Sequence, residues 1–181
     1  VRDRSKSRYV AFLRGVNPMN LSMKALTLCL SDAGYTDVKT LLSSGNVVFS
    51  APAKALATLE EELERCMEKG LGRSFPVYVR SATYLAELIA MDPFKGHPLS
   101  PQDKRVVTFL HEPPRKRPRL PIEADGARIL AVRQTEVFSA YEPNPRGPAF
   151  MTLLERTFGK EITTRTWDTV LKACAAAQKH A

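Results

Sequence analysis

The chain of 181 residues is long enough for one large domain or two small ones. With 44% hydrophobic and 25% charged residues it has the composition of a soluble globular protein. No apolar run approaches the ~18–20 residues of a membrane helix, which excludes a helical membrane protein, and no membrane partner is expected. The net charge of +8 is unevenly spread. Residues 1–8 carry Arg2, Arg4, Lys6 and Arg8 against Asp3, and residues 112–119 carry Arg115, Lys116, Arg117 and Arg119 against Glu112. Removing these two blocks of +3 each leaves only +2 on the rest of the chain. A basic segment of this kind binds nucleic acid or an anionic surface by releasing counterions, or simply stays solvated.

The N-terminal residues VRDRSKSRYV are basic and lead directly into a strand-like run. They lack the apolar core and small-residue cleavage site of a signal peptide. The three cysteines, Cys29, Cys66 and Cys174, are widely spaced and show no C-x-x-C pattern. Each falls on the apolar stripe of an expected helix. The reading is buried structural thiols in a reducing, cytoplasmic protein.

In chain order, residues 9–14 (YVAFLR) read as a strand, followed by the loop GVNPMNL. Ser22 is placed to cap a helix in which Met23, Leu26, Leu30 and Ala33 repeat at helical spacing, with Gly34 as its stop. Strands over 37–42 and 47–50 flank Ser43-Ser44-Gly45-Asn46, a hairpin turn in which Gly and Asn would take the positive φ angles. Residues 53–70 form an amphipathic helix. Leu56, Leu59, Leu63, Cys66, Met67 and Gly70 lie on its inner face, and Glu60, Glu61, Glu64 and Glu68 on what reads as a solvated one. A strand over 75–80 completes the order β-α-β-β-α-β. That is the ferredoxin-like arrangement, with an antiparallel sheet and two helices on one face.

A further helix is expected over 82–91, then a Pro- and Gly-rich linker over 92–103. The second half reads as a strand (104–111), a Pro- and Arg-rich stretch with at most one helical turn near 121–124, and a hairpin of 127–133 with 136–141. A helix (149–158), a short strand (162–166) and a final helix (167–179) follow. The expected organisation is therefore a basic arm (1–8), a ferredoxin-like half with an extra helix (9–91), a linker (92–103) and a second, degenerate half (104–181). The fold class is α+β, with two ferredoxin-like (βαββαβ) halves in tandem.

The segments YVAFLRGVN, MKALTLCLSDAGYTDVKTLLSSGNVVF, FPVYVRSATYLAELIAMDPF, VTFLHEPP and TTRTWDTVLK resemble a widespread bacterial family catalogued as a domain of unknown function. Its marks are an FLRGVN…SGNVVF pattern and a TTRNWNTV-type segment. The resemblance runs from Tyr9 to Lys172 and implies two ferredoxin-like halves. It implies no activity. Two departures stand out. The first loop, NPMNLSM, is shorter than the family's glycine-rich one and contains Pro18. The stretch from Arg146 to Met151 lacks the family's Ser-Lys pair.

The strongest candidate site combines Arg14, Asn17, Asn20 and Lys24 with Ser43, Ser44 and Asn46. In a β-α-β-β unit the loop entering the first helix and the hairpin turn fall at one end of the sheet. A helix N-terminus there offers unpaired N–H groups to an anion. The plainer alternative is that Asn17 and Asn46 only set turn geometry and Arg14 pairs with a carboxylate. Arg115, Lys116, Arg117, Arg119 and Arg165 are weaker candidates for contact with nucleic acid; Arg165 lies near Trp167, whose place on the apolar stripe of its helix favours a core role over stacking on a base. His97, His111 and His180 have no metal spacing, and a Ser44–His111 pairing rests on no local feature. There is no G-x-G-x-x-G, P-loop or H-E-x-x-H, so no cofactor or metal is expected. The functional expectation is a cytoplasmic binding protein for an anionic ligand, nucleic acid among the candidates. The rivals are a small enzyme acting on a phosphorylated or carboxylated metabolite and a homo-oligomerising interaction module.

Overall fold

The computed structural model describes residues 6–143 and 149–179. By its contacts the chain divides into two compact units, one formed by residues up to Leu88 together with residues from Leu171 onward, the other by Ile89–Val170.

The first unit is built on a four-stranded antiparallel sheet of β1 (Lys6–Leu13), β2 (Thr36–Leu41), β3 (Asn46–Pro52) and β4 (Val77–Ser81), in the order β2-β3-β1-β4. With α1 (Met23–Asp32) and α2 (Leu56–Leu71) in the connections, this is the ferredoxin-like topology. Strand alternation explains the packing. Tyr9, Ala11 and Leu13 of β1, with Val47, Phe49 and Ala51 of β3, turn to one face and join Leu26, Leu30, Leu59, Leu63 and Met67 of the helices. Burying a side chain such as Phe49 contributes about 1.5–3 kcal/mol. Their neighbours Val10, Phe12, Val48 and Tyr78 are equally buried on the opposite face.

Strand β1 starts at Lys6, so Lys6, Ser7 and Arg8 belong to the sheet instead of to a basic arm. Arg8 is pinned there: its guanidinium donates to the Ser50 hydroxyl, the Asp37 carbonyl and, through Nε, the Ala177 carbonyl of α5 (Trp167–Gln178). Residues 1–5 lie outside the described residues.

The glutamate face of α2 is not uniformly solvated. Glu60 is buried, and its Oε1 accepts the Val79 N–H at 2.8 Å; Glu64 Oε1 accepts the Val77 N–H at 2.9 Å. Because β4 is an edge strand, these N–H groups have no neighbouring strand, and the two carboxylates take that strand's place.

The second unit carries a five-stranded antiparallel sheet of β5 (Lys104–Phe109), β6 (Ile122–Ala124), β7 (Ala127–Arg133), β8 (Glu136–Tyr141) and β9 (Thr163–Thr166), in the order β6-β7-β8-β5-β9. Without β6 the order repeats that of the first sheet, which makes this the second ferredoxin-like half. Helix α4 (Ala149–Phe158) packs on β7 and β6, with Leu153 and Leu154 against Ile129 and Val137. The helical turn expected near 121–124 is instead the strand β6. Asp125 and Gly126, at φ 49° and 77°, make the two-residue turn that folds Ile122 back onto Ile129. Prolines 113, 114, 118 and 121 bar a helix from this stretch. Helix α3 (Ala82–Ala90) follows β4, with Leu85 and Leu88 buried.

Candidate functional site

The candidate site lies at the end of the first unit where β1 gives way to the loop 14–22. Two contacts join this loop to the hairpin turn. The Leu13 N–H donates to the Gly45 carbonyl at 2.8 Å, and a Cβ on Gly45 would stand 2.9 Å from Leu13 Cβ and 3.0 Å from Val16 Cβ. Gly45 also has φ +79°, so two constraints hold this position to glycine. The second positive φ of the turn belongs to Leu42 (φ 58°); Asn46, expected in the turn, is the first residue of β3.

The amide side chains at this end are engaged locally. Asn17 Oδ1 accepts the Met19 and Asn20 N–H groups at 2.8 and 3.1 Å, and the Asn17 N–H donates to Asn20 Oδ1 at 2.9 Å. Asn20 Nδ2 donates to the Gly15 carbonyl at 2.7 Å. Fully buried Asn46 donates through Nδ2 to the Leu41 carbonyl at 2.9 Å and to Ser44 Oγ at 3.0 Å. Ser43 is exposed in the same turn. These bonds close the two loops and fix their shape. Ser22 caps α1, its hydroxyl accepting the Ala25 N–H.

The cations are arranged differently. Arg14 is half-buried at the exit of β1, and Lys24 is exposed in the first turn of α1. Neither pairs with a carboxylate among the described residues. The surroundings offer few partners, because no Asp or Glu occurs from Arg14 to Ser31 or from Val38 to Leu59. A third cation joins them that sequence reasoning passed over: Arg73 Nη1 donates to the Asn20 carbonyl at 3.2 Å, and its guanidinium lies 4.8 Å from the Phe75 ring centre. Only its place just before β4 hinted at this.

In the second unit Arg115, Lys116, Arg117 and Arg119 are exposed between β5 and β6. Arg165 is held within β9, where its Nη1 donates to Thr163 Oγ1 at 2.9 Å and to the Thr164 carbonyl at 2.7 Å. Burial pushes its guanidinium down to about 10. Trp167 is half-buried and meets the Phe94 ring edge-on at 5.3 Å. Among the described residues no group of three or more His, Cys, Asp or Glu side chains could hold a metal ion. No helix among them is long and apolar enough to cross a membrane. The region where the family's Ser-Lys pair was sought, Arg146–Met151, lies for residues 146–148 outside the described residues.

A structural comparison finds similarity to a conserved bacterial protein, SP0830 from Streptococcus pneumoniae. The TM-score is 0.67 at 18% identity, over 96% of this chain and 99% of that one. At that identity the likeness concerns the fold. No curated protein matches the chain. The family described as "Protein of unknown function (DUF1697)" matches residues 7–138, from the start of β1 into β8. The chain belongs to that family.

Proposed function

We propose that the chain is a cytoplasmic binding protein for an anionic ligand, nucleic acid among the candidates, at the end of the first unit formed by the 14–24 loop and the 42–46 turn. The observation that supports this reading is a cationic set without carboxylates. Arg14 and Lys24 have no ion-pair partner among the described residues, Arg73 reaches the Asn20 carbonyl of that loop from the segment before β4, and the sequence flanking Arg14 and Lys24 is free of acids. The asparagines contribute by holding the loop in shape, which spares the cations and the start of α1 for the ligand. The exposed Arg115, Lys116, Arg117 and Arg119 add sequence-independent attraction to a polyanion.

The test is fluorescence anisotropy with a labelled single-stranded oligonucleotide across a salt series. If three cations meet phosphates, the logarithm of the affinity falls with that of salt with a slope of about −2 from these groups alone. Arg14→Ala combined with Lys24→Ala lowers the affinity roughly tenfold or more at moderate salt. Affinity that is flat with salt, or unchanged in the double variant, refutes the reading. Inorganic pyrophosphate as competitor separates a small-anion site from a polyanion surface.

A further inference from the structure

Helices α1 and α2 pack side by side, and two thiols face each other at their contact. Cys29 Sγ and Cys66 Sγ are 3.4 Å apart, and each sulfur lies 3.5 Å from the other cysteine's carbonyl oxygen. The approach depends on Gly70, one turn beyond Cys66: a Cβ there would stand 2.7 Å from Cys29 Sγ. Both cysteines are half-buried, whereas Cys174 is buried on α5. Cys66 also lines an open cleft of about 270 Å³ together with Ala33, Tyr35, Glu62, Arg65 and Lys69, in which the two cations outnumber the one acid.

We propose that Cys29 and Cys66 form a thiol–disulfide exchange site that takes a small, carboxylate-bearing disulfide in this cleft and closes a reversible intramolecular disulfide between α1 and α2. In the first step the Cys66 sulfur, having released its proton, attacks one sulfur of the small disulfide. That S–S bond breaks and the first thiolate leaves, taking up a proton. In the second step the Cys29 sulfur attacks Cys66 Sγ, the second thiolate leaves with the second proton, and the Cys29–Cys66 bond forms. The two cysteines lose two electrons and the small disulfide is reduced to two thiols. The sulfurs need to close from 3.4 Å to the roughly 2.05 Å of a disulfide. Because the second thiol is already in place, the closing step is intramolecular and outruns release of the mixed disulfide.

The groups facing Cys66 are Cys29 and Asp32 on α1, Tyr35, and Glu62, Arg65 and Lys69. Burial first, then Cys29 and Asp32, push its thiol up to about 12. Exchange is therefore slow at neutral pH and faster in alkali, which suits a response to sustained oxidation.

The experiment incubates the full chain with oxidised glutathione under native conditions, alkylates it, and maps the cysteines by mass spectrometry. The expected product is a Cys29–Cys66 disulfide that dithiothreitol reverses, with Cys174 unmodified. Cys29→Ser should stop at a glutathione adduct on Cys66, and Gly70→Ala should slow closure roughly tenfold by moving Cys29 away. A wild-type chain that keeps all its thiols free, or that accumulates glutathione adducts without closing the bond, overturns the proposal. If Gly70→Ala loses its helical circular dichroism, wild type and Cys29→Ser decide alone. An adduct on Cys29 in preference to Cys66 would likewise refute the assignment of the cleft.

Discussion

Replacing Glu60 tests how the first unit seals its open sheet edge. Glu60 Oε1 accepts the N–H of fully buried Val79 at 2.8 Å and stands 3.8 Å from Nη1 of Arg80, another buried group. Glu60→Ala removes the acceptor and leaves a buried donor unpaired, which costs about 1–3 kcal/mol. It also takes a carboxylate away from a buried guanidinium, whose bond to the Val79 carbonyl at 2.7 Å softens the loss. The expected total is about 2–4 kcal/mol, read as a lower urea midpoint at unchanged slope. Glu60→Gln keeps an oxygen for the Val79 N–H and loses only the charge, so it should cost about half as much. An alanine variant within about 0.5 kcal/mol of wild type would show that the bond is not holding the edge. A glutamine variant as unstable as the alanine one would show that the charge, and not the acceptor, matters. Adding Glu64→Ala uncovers the Val77 N–H as well, and the doubly opened edge should make the chain associate at micromolar concentration, visible by light scattering.

Three further outcomes follow from other contacts. Burial and the neighbouring Glu62 push the Tyr35 phenol up from 10.0 to about 12. The folded state therefore binds this proton more tightly than the unfolded one, so its contribution is whole below pH 10 and is lost as pH rises through 12. Ultraviolet difference absorbance between wild type and Tyr35→Phe should show the missing tyrosinate forming late, near the upper end of the alkaline titration. In the second unit Asp103 Oδ2 accepts the Ser100 N–H at 2.8 Å and pairs with Arg128. Asp103→Ala should cost about 3 kcal/mol in urea unfolding, whereas Asp103→Asn, which keeps an acceptor, should cost less. Asn17→Ala should destabilise the chain by about 1–2 kcal/mol, whereas Asn17→Asp keeps the oxygen that accepts from Met19 and Asn20 and should leave thermal stability near wild type while weakening anion binding.

The first half was legible because each local signal agreed with the next. The β-prone apolar runs of β1 and β3, the Ser22 cap, the leucine stripe of α2 and the Gly34 stop all point to one topology. Reading failed where a residue's role depends on what lies opposite it. A helical wheel sorts Glu60 and Glu64 with Glu61 and Glu68, yet the first two are long enough to reach over α2 to the edge of β4. Cys29 and Cys66 are separated by 37 residues and look unrelated until α1 and α2 are packed. The strand β6 is a different kind of miss. Asp125-Gly126 between Ile122 and Ile129 is a hairpin signal, but the prolines before it drew the reading toward broken helix. The assignment of α5 from Leu171 onward to the first unit has no local signature, since it depends on what the last turns pack against.

The candidate site changes character once the asparagines are accounted for. Asn17, Asn20 and Asn46 each make hydrogen bonds to groups of their own loops. Directed polar recognition is what distinguishes one anion from another; point charges on Arg14, Lys24 and Arg73 supply attraction with little discrimination. On the proposed reading such a site would bind through charge density, lose affinity quickly as salt rises and tolerate many sequences or metabolites. The rigidity of the loop then matters more than its chemistry. Asn20 fixes the backbone at Gly15, next to Arg14, and the Leu13 N–H fixes it at Gly45, so on the proposed reading the loop would present its cations from a settled backbone, at a smaller ordering cost than a mobile loop would incur.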